Sequence, residues 1–415
     1  MGTAGLSIDT LPPDAARPSS LGFDPGGGAG GLPGAVAVPA SIDMADLLVR
    51  FGRHVWPELR RSLRAHTLFI GIVLVHLGAA LVIPPLFGIT IPYSPTTYVP
   101  TMLALIGVAS GVFLLFYAAA LAIAVRPKNF WSYMWSELAE KVFTLERICL
   151  ALPTVLFFPI MAATFSYFKT AIPAFHPFDW DAHFAAWDRL LHGGYDPWRL
   201  LQPILGHPVI TSLLSDGYRI WFGVTYCLLL WIMIDTRRPR LRMQYLLTFA
   251  LCWILLGNLA ATLLSSAGPA YFGRVTGLAD PYADLIGYLR EANKVAVVPA
   301  VEIQEMLWTW YKNGDTVAGA GISAMPSLHV GIAFSFFLLG QAISRRLGIL
   351  GGVYAALILL ASIHLGWHYA VDGYAAILGT WIIWFCMGRL LDRPAVARLL
   401  WGHDPPGGAA DPAVT

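Results

Sequence analysis

The sequence predicts an all-α fold, a polytopic membrane helix bundle with about eight transmembrane helices. Of its 415 residues 57% are hydrophobic and only 13% are charged, whereas soluble proteins carry about 25% charged residues. The mean hydropathy is +0.62. The formal net charge of +2 gives no basic surface for nucleic acid, so no nucleic-acid partner is expected.

Eight apolar runs are candidates for membrane spans, because a helix needs about 20 apolar residues to cross the bilayer core. The fourth run has charged residues near its start, and the sixth is short. The runs cover residues 67–90, 101–125, 147–168, 217–234, 243–264, 327–343, 347–366 and 369–390.

The basic residues predict the orientation of these spans. If the N-terminus is cytoplasmic, the cytoplasmic segments hold 19 of the 27 Lys and Arg residues. An excess of basic residues marks cytoplasmic loops. We therefore expect an integral membrane protein with both termini in the cytoplasm.

Composition divides the chain into four predicted segments. Residues 1–43 are rich in Pro, Gly and Ala and predict a disordered tail, as do residues 394–415. Residues 44–146 hold two additional transmembrane helices and a cytoplasmic linker, and residues 147–393 form the main membrane domain.

Two histidine-containing motifs are expected to meet at the extracytoplasmic ends of the last three spans. His329 ends "GISAMPSLH" at the start of the sixth span, and "HLGWHYAVD" carries His364, His368 and Asp372 between the seventh and eighth. The spacing of His368 and Asp372 places them on one face of a helix. A carboxylate that binds one ring nitrogen fixes the tautomer of an imidazole, and this arrangement activates a nucleophile.

Other readings of these residues stay open. An interfacial histidine can cap a helix, and an H-x-x-x-D pair can be a helix-end hydrogen bond. In the loop after the third span, "HPFDWDAH" offers His176, Asp179, Asp181 and His183 as metal ligands, but the polar face of an amphipathic interfacial helix explains them better. We expect neither a metal nor a cofactor.

These motifs resemble those of the type 2 phosphatidic acid phosphatase superfamily, and most closely its inositol phosphorylceramide synthase-like branch with bacterial relatives. "MPSLH" (325–329) matches the first histidine motif, and the end of "HLGWHYAVD" matches the second. The family's arginine before the second histidine is replaced by Ser362. The K-x6-R-P motif is absent, and "SSAGPAYFGR" (265–274) stands in its place. These departures favour the transferase branch.

The resemblance implies a six-helix catalytic core and a role for each matching residue. His368 would form a phosphohistidine, Asp372 would hold its tautomer, and His329 would serve as acid and base. Five further residues are candidates for binding the substrate phosphate: Ser327, Arg274, Lys169, Arg219 and His364. Arg274 could instead anchor the chain among lipid headgroups.

The predicted function is that of a membrane lipid phosphotransferase. It would move a phosphoryl-headgroup from a phospholipid donor to a lipid alcohol acceptor, at the extracytoplasmic face. The first alternative is a lipid or polyprenyl phosphate phosphatase that uses the same residues with water. A second alternative is a transporter, although transporters place their charged groups near the membrane midplane.

Overall fold

The computed structural model describes residues 44–317 and 319–402, with side chains from residue 52 onwards. These residues form helices and loops and contain no strand, which confirms the predicted all-α class. Contacts divide the chain into residues 1–49 and residues 50–415, and all packing described below belongs to the second unit. The predicted disordered segment 1–43 lies outside the described residues.

We number the α-helices α1 to α18 in chain order. A π-helix, Cys252–Ala260, continues α10 into α11, and a 3₁₀ turn, Pro269–Tyr271, precedes α12. The α-helices are α1 Met44–Ala65, α2 Thr67–Leu86, α3 Val99–Ala124, α4 Phe130–Lys141, α5 Leu145–Phe175, α6 Asp181–Leu191, α7 Pro197–Leu205, α8 Pro208–Arg219, α9 Trp221–Met233, α10 Pro239–Leu251, α11 Ala261–Leu263, α12 Phe272–Thr276, α13 Ala283–Val295, α14 Pro299–Asn313, α15 Leu328–Ile343, α16 Arg345–His364, α17 Ala370–Leu391 and α18 Pro394–Trp401.

Six helical segments of the described chain are long and apolar enough to cross a membrane: α2, α3, α5, the continuous segment Pro239–Leu263, α16 and α17. The two remaining predicted runs correspond to the shorter helices α9 and α15. The run 217–234 divides at Ile220, where α8 ends and α9 begins. Asp216 and Arg219 form an exposed ion pair at this point, and such charges disfavour burial in the bilayer.

Helices α15 and α16 form a closely packed antiparallel pair that fixes the position of the first histidine motif. Ser344 ends α15 and caps α16, where its hydroxyl accepts a hydrogen bond from the Leu347 N–H. A Cβ on Gly340 would lie 2.6 Å from the Leu347 backbone, and one on Gly351 would lie 2.7 Å from the Phe336 backbone. Small residues allow this approach between membrane helices. Helix α17 packs against α15 and α10.

The C-terminal segment differs from the prediction over residues 394–402. Instead of starting a disordered tail, Pro394–Trp401 form α18, with Ala397 and Leu400 buried. The Arg64 side chain donates hydrogen bonds to the carbonyls of Leu399 and Arg398. The segment is therefore ordered by packing that its composition does not show. Residues 403–415 lie outside the described part of the chain.

Helix α6 also departs from the expected amphipathic pattern. Its acidic side was expected to face water, yet Asp181 is fully buried and Asp188 is 2% exposed, whereas Leu191 is 62% exposed. Asp181 accepts four hydrogen bonds, from the Ala267 and Gly268 N–H groups and the Ser266 and Tyr369 hydroxyls. The expectation of a solvated acidic face was wrong because these carboxylates satisfy buried backbone donors.

We predict that Asp181→Asn destabilises the fold by about 1–3 kcal/mol, the usual cost of leaving a buried polar group unpaired. The amide keeps the shape of the side chain but replaces one acceptor oxygen with a donor, so an N–H of Ala267 or Gly268 loses its partner. Thermal unfolding in detergent measures the change. Asp179→Asn is the matched control, because the Asp179 side chain is 59% exposed. Equal melting temperatures for the two variants would contradict the role assigned to Asp181.

Candidate active site

Three loops that are distant in sequence meet at the candidate site. The first loop, residues 265–268, follows α11. The second, residues 323–327, precedes α15, and the third, residues 365–369, connects α16 to α17. The Ala324 N–H donates to the Ser266 carbonyl at 2.9 Å, and the Ser327 N–H donates to the Asp372 carbonyl at 3.1 Å. Asp181 accepts hydrogen bonds from the first of these loops and from the Tyr369 hydroxyl of the third. The three loops are thus one hydrogen-bonded unit.

His368 lies in the third loop, between α16 and α17, with its tautomer defined by its neighbours. Its Nδ1 atom is 2.8 Å from the Ala324 carbonyl oxygen and 3.3 Å from Asp372 Oδ2. A carbonyl oxygen can only accept, so Nδ1 carries the hydrogen and Nε2 holds the free lone pair. Burial lowers the pKa of His368 to about 3, which keeps the ring neutral near pH 7.

Asp372 is fully buried in the first turn of α17. Besides His368, its Oδ2 atom accepts a hydrogen bond from the Tyr369 N–H at 3.0 Å. Asp188 accepts from the next two N–H groups, of Ala370 and Val371, at 2.8 and 2.9 Å. Two carboxylates therefore cap α17, where their negative charge also interacts favourably with the positive end of the helix dipole. This double cap holds the backbone that carries His368.

His329 lies in the first turn of α15 and is held between aromatic rings. Its ring stacks on Tyr218 at 4.6 Å and lies 4.3 Å from the Trp221 ring. The Trp221 Nε1–H donates to the His329 carbonyl at 3.0 Å. Neither ring nitrogen of His329 has a hydrogen-bond partner among the described residues. Both are therefore available to a bound substrate.

One cavity of about 500 Å³ connects His329, His368 and Lys169. The positive charge of Lys169 acts on both histidines, so the three groups lie within electrostatic range of one another. Most of the remaining wall is apolar or aromatic. The aromatic lining residues are Tyr98, Phe165, Tyr218, Trp221, Phe222, Tyr226, Trp253, Tyr271, Trp310 and Trp367.

Of the five residues expected to bind phosphate, two line this cavity. Lys169 projects from α5, and Arg219 lies at the rim with a 62% exposed side chain that pairs with Asp216 at 2.9 Å. Ser327 is instead the buried N-cap of α15, where its hydroxyl accepts from the Val330 N–H. It positions the motif and does not line the cavity.

The structure places Arg274 and His364 away from the cavity. Arg274 pairs with Glu305 at 2.6 Å and lies over the Trp308 ring. His364 ends α16, and Gly366, with φ +71°, turns the chain so that α16 and α17 are not continuous. The buried His364 ring bonds to the Thr211 hydroxyl at 2.9 Å. Neither residue lines the cavity.

Sequence reasoning missed several residues of the site. Asp181 and Asp188 were assigned to a polar surface, although each lies beside backbone donors of another element. The Ala324 carbonyl, the closer acceptor for His368, could not be found from side-chain patterns. Ser323 lines the cavity and belongs to the motif "GISAMPSLH", so this motif was the signal that could have identified Ser323 as a site residue.

The metal-ligand reading of "HPFDWDAH" finds no support in this geometry. Among the described residues, no group of three or more His, Cys, Asp or Glu side chains is arranged to hold a metal ion. Both oxygens of Asp181 are engaged by the donors described above. His183 is exposed and lies against the Trp180 ring.

Comparison with known proteins gives one match. Searches of curated proteins and of solved structures returned no match to this chain. A family model described as the PAP2 superfamily matches residues 182–386. The match begins in α6 and ends in α17, so it contains His329, His368 and Asp372 but neither Lys169 nor α3. Just under half of the chain is therefore similar to this superfamily, and that half carries both histidine motifs.

Proposed function

We propose that the protein is an integral membrane phosphotransferase that moves a phosphoryl-headgroup from a phospholipid to a lipid alcohol. The similarity to the PAP2 superfamily supports an enzyme of the phosphatase or phosphotransferase type. The observation that carries the proposal is the pair of histidines in one cavity. Nδ1 of His368 bonds to Ala324 and Asp372, and its Nε2 has no hydrogen-bond partner among the described residues.

In the first step, Nε2 of His368 attacks the phosphorus of the donor lipid. The P–N bond forms as the P–O bond to the diacylglycerol oxygen breaks, and His329 protonates that oxygen as it leaves. The product is a phosphohistidine that still carries the headgroup. Asp372 and the Ala324 carbonyl stabilise the positive charge that develops on the His368 ring.

In the second step, the acceptor alcohol takes the place of diacylglycerol. His329, now neutral, removes the hydroxyl proton while the alcohol oxygen attacks phosphorus and the P–N bond breaks. Lys169 offsets the charge on the phosphoryl oxygens in both steps, in a cavity where little water weakens the interaction. Arg219, at the rim of the cavity, is a second cation that an anionic substrate contacts.

The aromatic wall favours transfer over hydrolysis, because a phosphohistidine must be shielded from water until the acceptor arrives. Trp310 and Trp367 line the cavity on the loop side, and Tyr226 and Trp253 line its interior. Hydrolysis is the second candidate, since Arg219 and the 40% exposed Met306 form a rim that water reaches. The distribution of Lys and Arg supports an extracytoplasmic site with both termini in the cytoplasm.

We predict that His368→Ala abolishes turnover, because the variant lacks the oriented imidazole whose Nε2 forms the P–N bond. Asp372→Asn should lower kcat by about 10- to 100-fold, as is typical when a partner that orients a histidine is removed. The loss is partial because the Ala324 carbonyl still holds the Nδ1 hydrogen. Initial rates in detergent micelles measure both effects.

His183→Ala is the matched control for these variants, since His183 is exposed and outside the cavity. Its rate should equal that of the parent enzyme. A His368→Ala variant that is folded and retains near-normal turnover would overturn the proposed mechanism.

A second assay separates transfer from hydrolysis. Purified protein receives a phospholipid labelled in its headgroup phosphate, either alone or together with a long-chain diol such as a ceramide. We expect label to enter a new lipid faster than it appears in free headgroup phosphate, because the apolar cavity favours the lipid alcohol. Release of water-soluble label at one rate, whatever the acceptor, would identify a hydrolase.

A further inference from the structure

Helix α3 forms part of the cavity wall although it lies outside the segment similar to the PAP2 superfamily. Tyr98, at its N-cap, and Thr101 and Leu105, on its first two turns, line the same cavity as His329 and His368. Their spacing of three and four residues places them on one face of the helix. The site is therefore completed by an element outside the two histidine motifs.

Much of the remaining surface of α3 is exposed. Leu103 is 64% exposed, Leu115 69% and Phe116 71%, whereas Leu105 is half-buried. Its packed side lies mainly against α9, where Leu105 and Tyr226 also border a second, smaller apolar cavity. Because an apolar helix surface of this kind contacts lipid in a membrane protein, α3 stands between the bilayer and the cavity.

An opening connects the two. Thr101 of α3 and Phe222 of α9 both line the cavity and are exposed, the latter by 47%. The Phe222 ring also contacts the His329 ring, edge to face, at 5.7 Å. Arg219 lies one turn away at the rim. A path thus leads from the lipid-facing surface between α3 and α9 to the reacting groups.

The interior beyond this opening is suited to hydrocarbon. From Tyr98 to Leu105 the helix rises about 10 Å, and the cavity lining also includes Tyr226, Trp253 and Phe165. These side chains offer an apolar surface with few polar groups. Lys169, Ser323 and the two histidines supply the polar groups that a phosphate needs.

We propose that α3 is the chain-binding wall of the substrate site and determines which lipids are accepted. The phosphate of the lipid lies among Lys169, His329 and His368. The first carbons of one hydrocarbon chain pass the opening beside Thr101 and Phe222, and the carbons farther along the chain lie between Leu105 and Tyr226. This inference rests on the proposed function, since it assigns the chain of the same substrate.

The test compares substrates that differ only in chain length. Leu105→Trp narrows the chain site, and Leu103→Trp adds the same bulk two residues away, on the exposed face. For the phospholipid that the parent enzyme uses, kcat/KM is measured with 18-carbon and with 6-carbon chains. We expect Leu105→Trp to lower the value for the long-chain lipid by about 10-fold or more, the usual effect of misfit in an apolar pocket, and to change the short-chain value less than twofold.

Leu103→Trp should leave both values unchanged. Equal losses for long and short chains in Leu105→Trp, with an unaltered melting temperature, would overturn the assignment of α3 while leaving the proposed function intact. If Leu105→Trp does not fold, Leu105→Ala serves instead, and it should raise KM for the long-chain lipid alone. An unchanged KM for that lipid would likewise overturn the assignment of α3.

A binding measurement keeps the inference separate from catalysis. A phosphatidic acid with a diazirine midway along one chain is photolysed in the presence of the parent protein and of His368→Ala. We expect label on the α3 face that contains Thr101 and Leu105, and on Tyr226, in both proteins. Label confined to the outer face, at Leu103 and Leu115, would contradict the proposal. Labelling of the inner face in a parent protein that turns over no phospholipid would reject the proposed function alone.

Discussion

The buried carboxylate of Asp181 connects parts of the chain that are far apart in sequence. It accepts hydrogen bonds from Ser266, Ala267 and Gly268 in one loop and from Tyr369 in another. The first loop in turn receives the Ala324 N–H through the Ser266 carbonyl. The Ala324 carbonyl then accepts from His368. The position of His368 therefore depends on an acid that does not line the cavity.

The same arrangement explains how a membrane protein can keep reactive polar groups at its helix ends. The carboxylates of Asp181, Asp188 and Asp372 each bind backbone donors or a hydroxyl, which offsets much of the cost of their burial. The imidazole of His368 stays neutral, and Lys169 supplies a positive charge to the cavity. An anionic phosphate would complement this charge, whereas the aromatic walls accommodate the apolar remainder of a lipid.

Much of the helical arrangement could be predicted, because apolar runs of the required length and basic residues between them are local features. The approximate ends of α16 and α17 followed from the apolar runs. The spacing predicted the pairing of His368 with Asp372 on one helix face, whereas His368 lies in the loop before α17 and pairs from there. What failed depends on tertiary contacts. The buried acids of α6 were interpreted as a polar surface, because their backbone partners lie 86 to 183 residues away in the sequence. His364 could be placed beside His368 only if the turn at Gly366 were helical, and it is not.

The contribution of α3 was hidden for a similar reason, because nothing in its apolar sequence distinguishes a helix that faces only lipid from one that also lines a site.

The most direct test of the account is to trap the proposed covalent intermediate. The enzyme is mixed with phospholipid labelled at its phosphate, without acceptor, and quenched in alkali, in which phosphohistidine survives. We predict an acid-labile adduct that mass spectrometry locates on His368 and that Asp372→Asn forms more slowly. Turnover at full rate with no such adduct, or with the label on another residue, would contradict it.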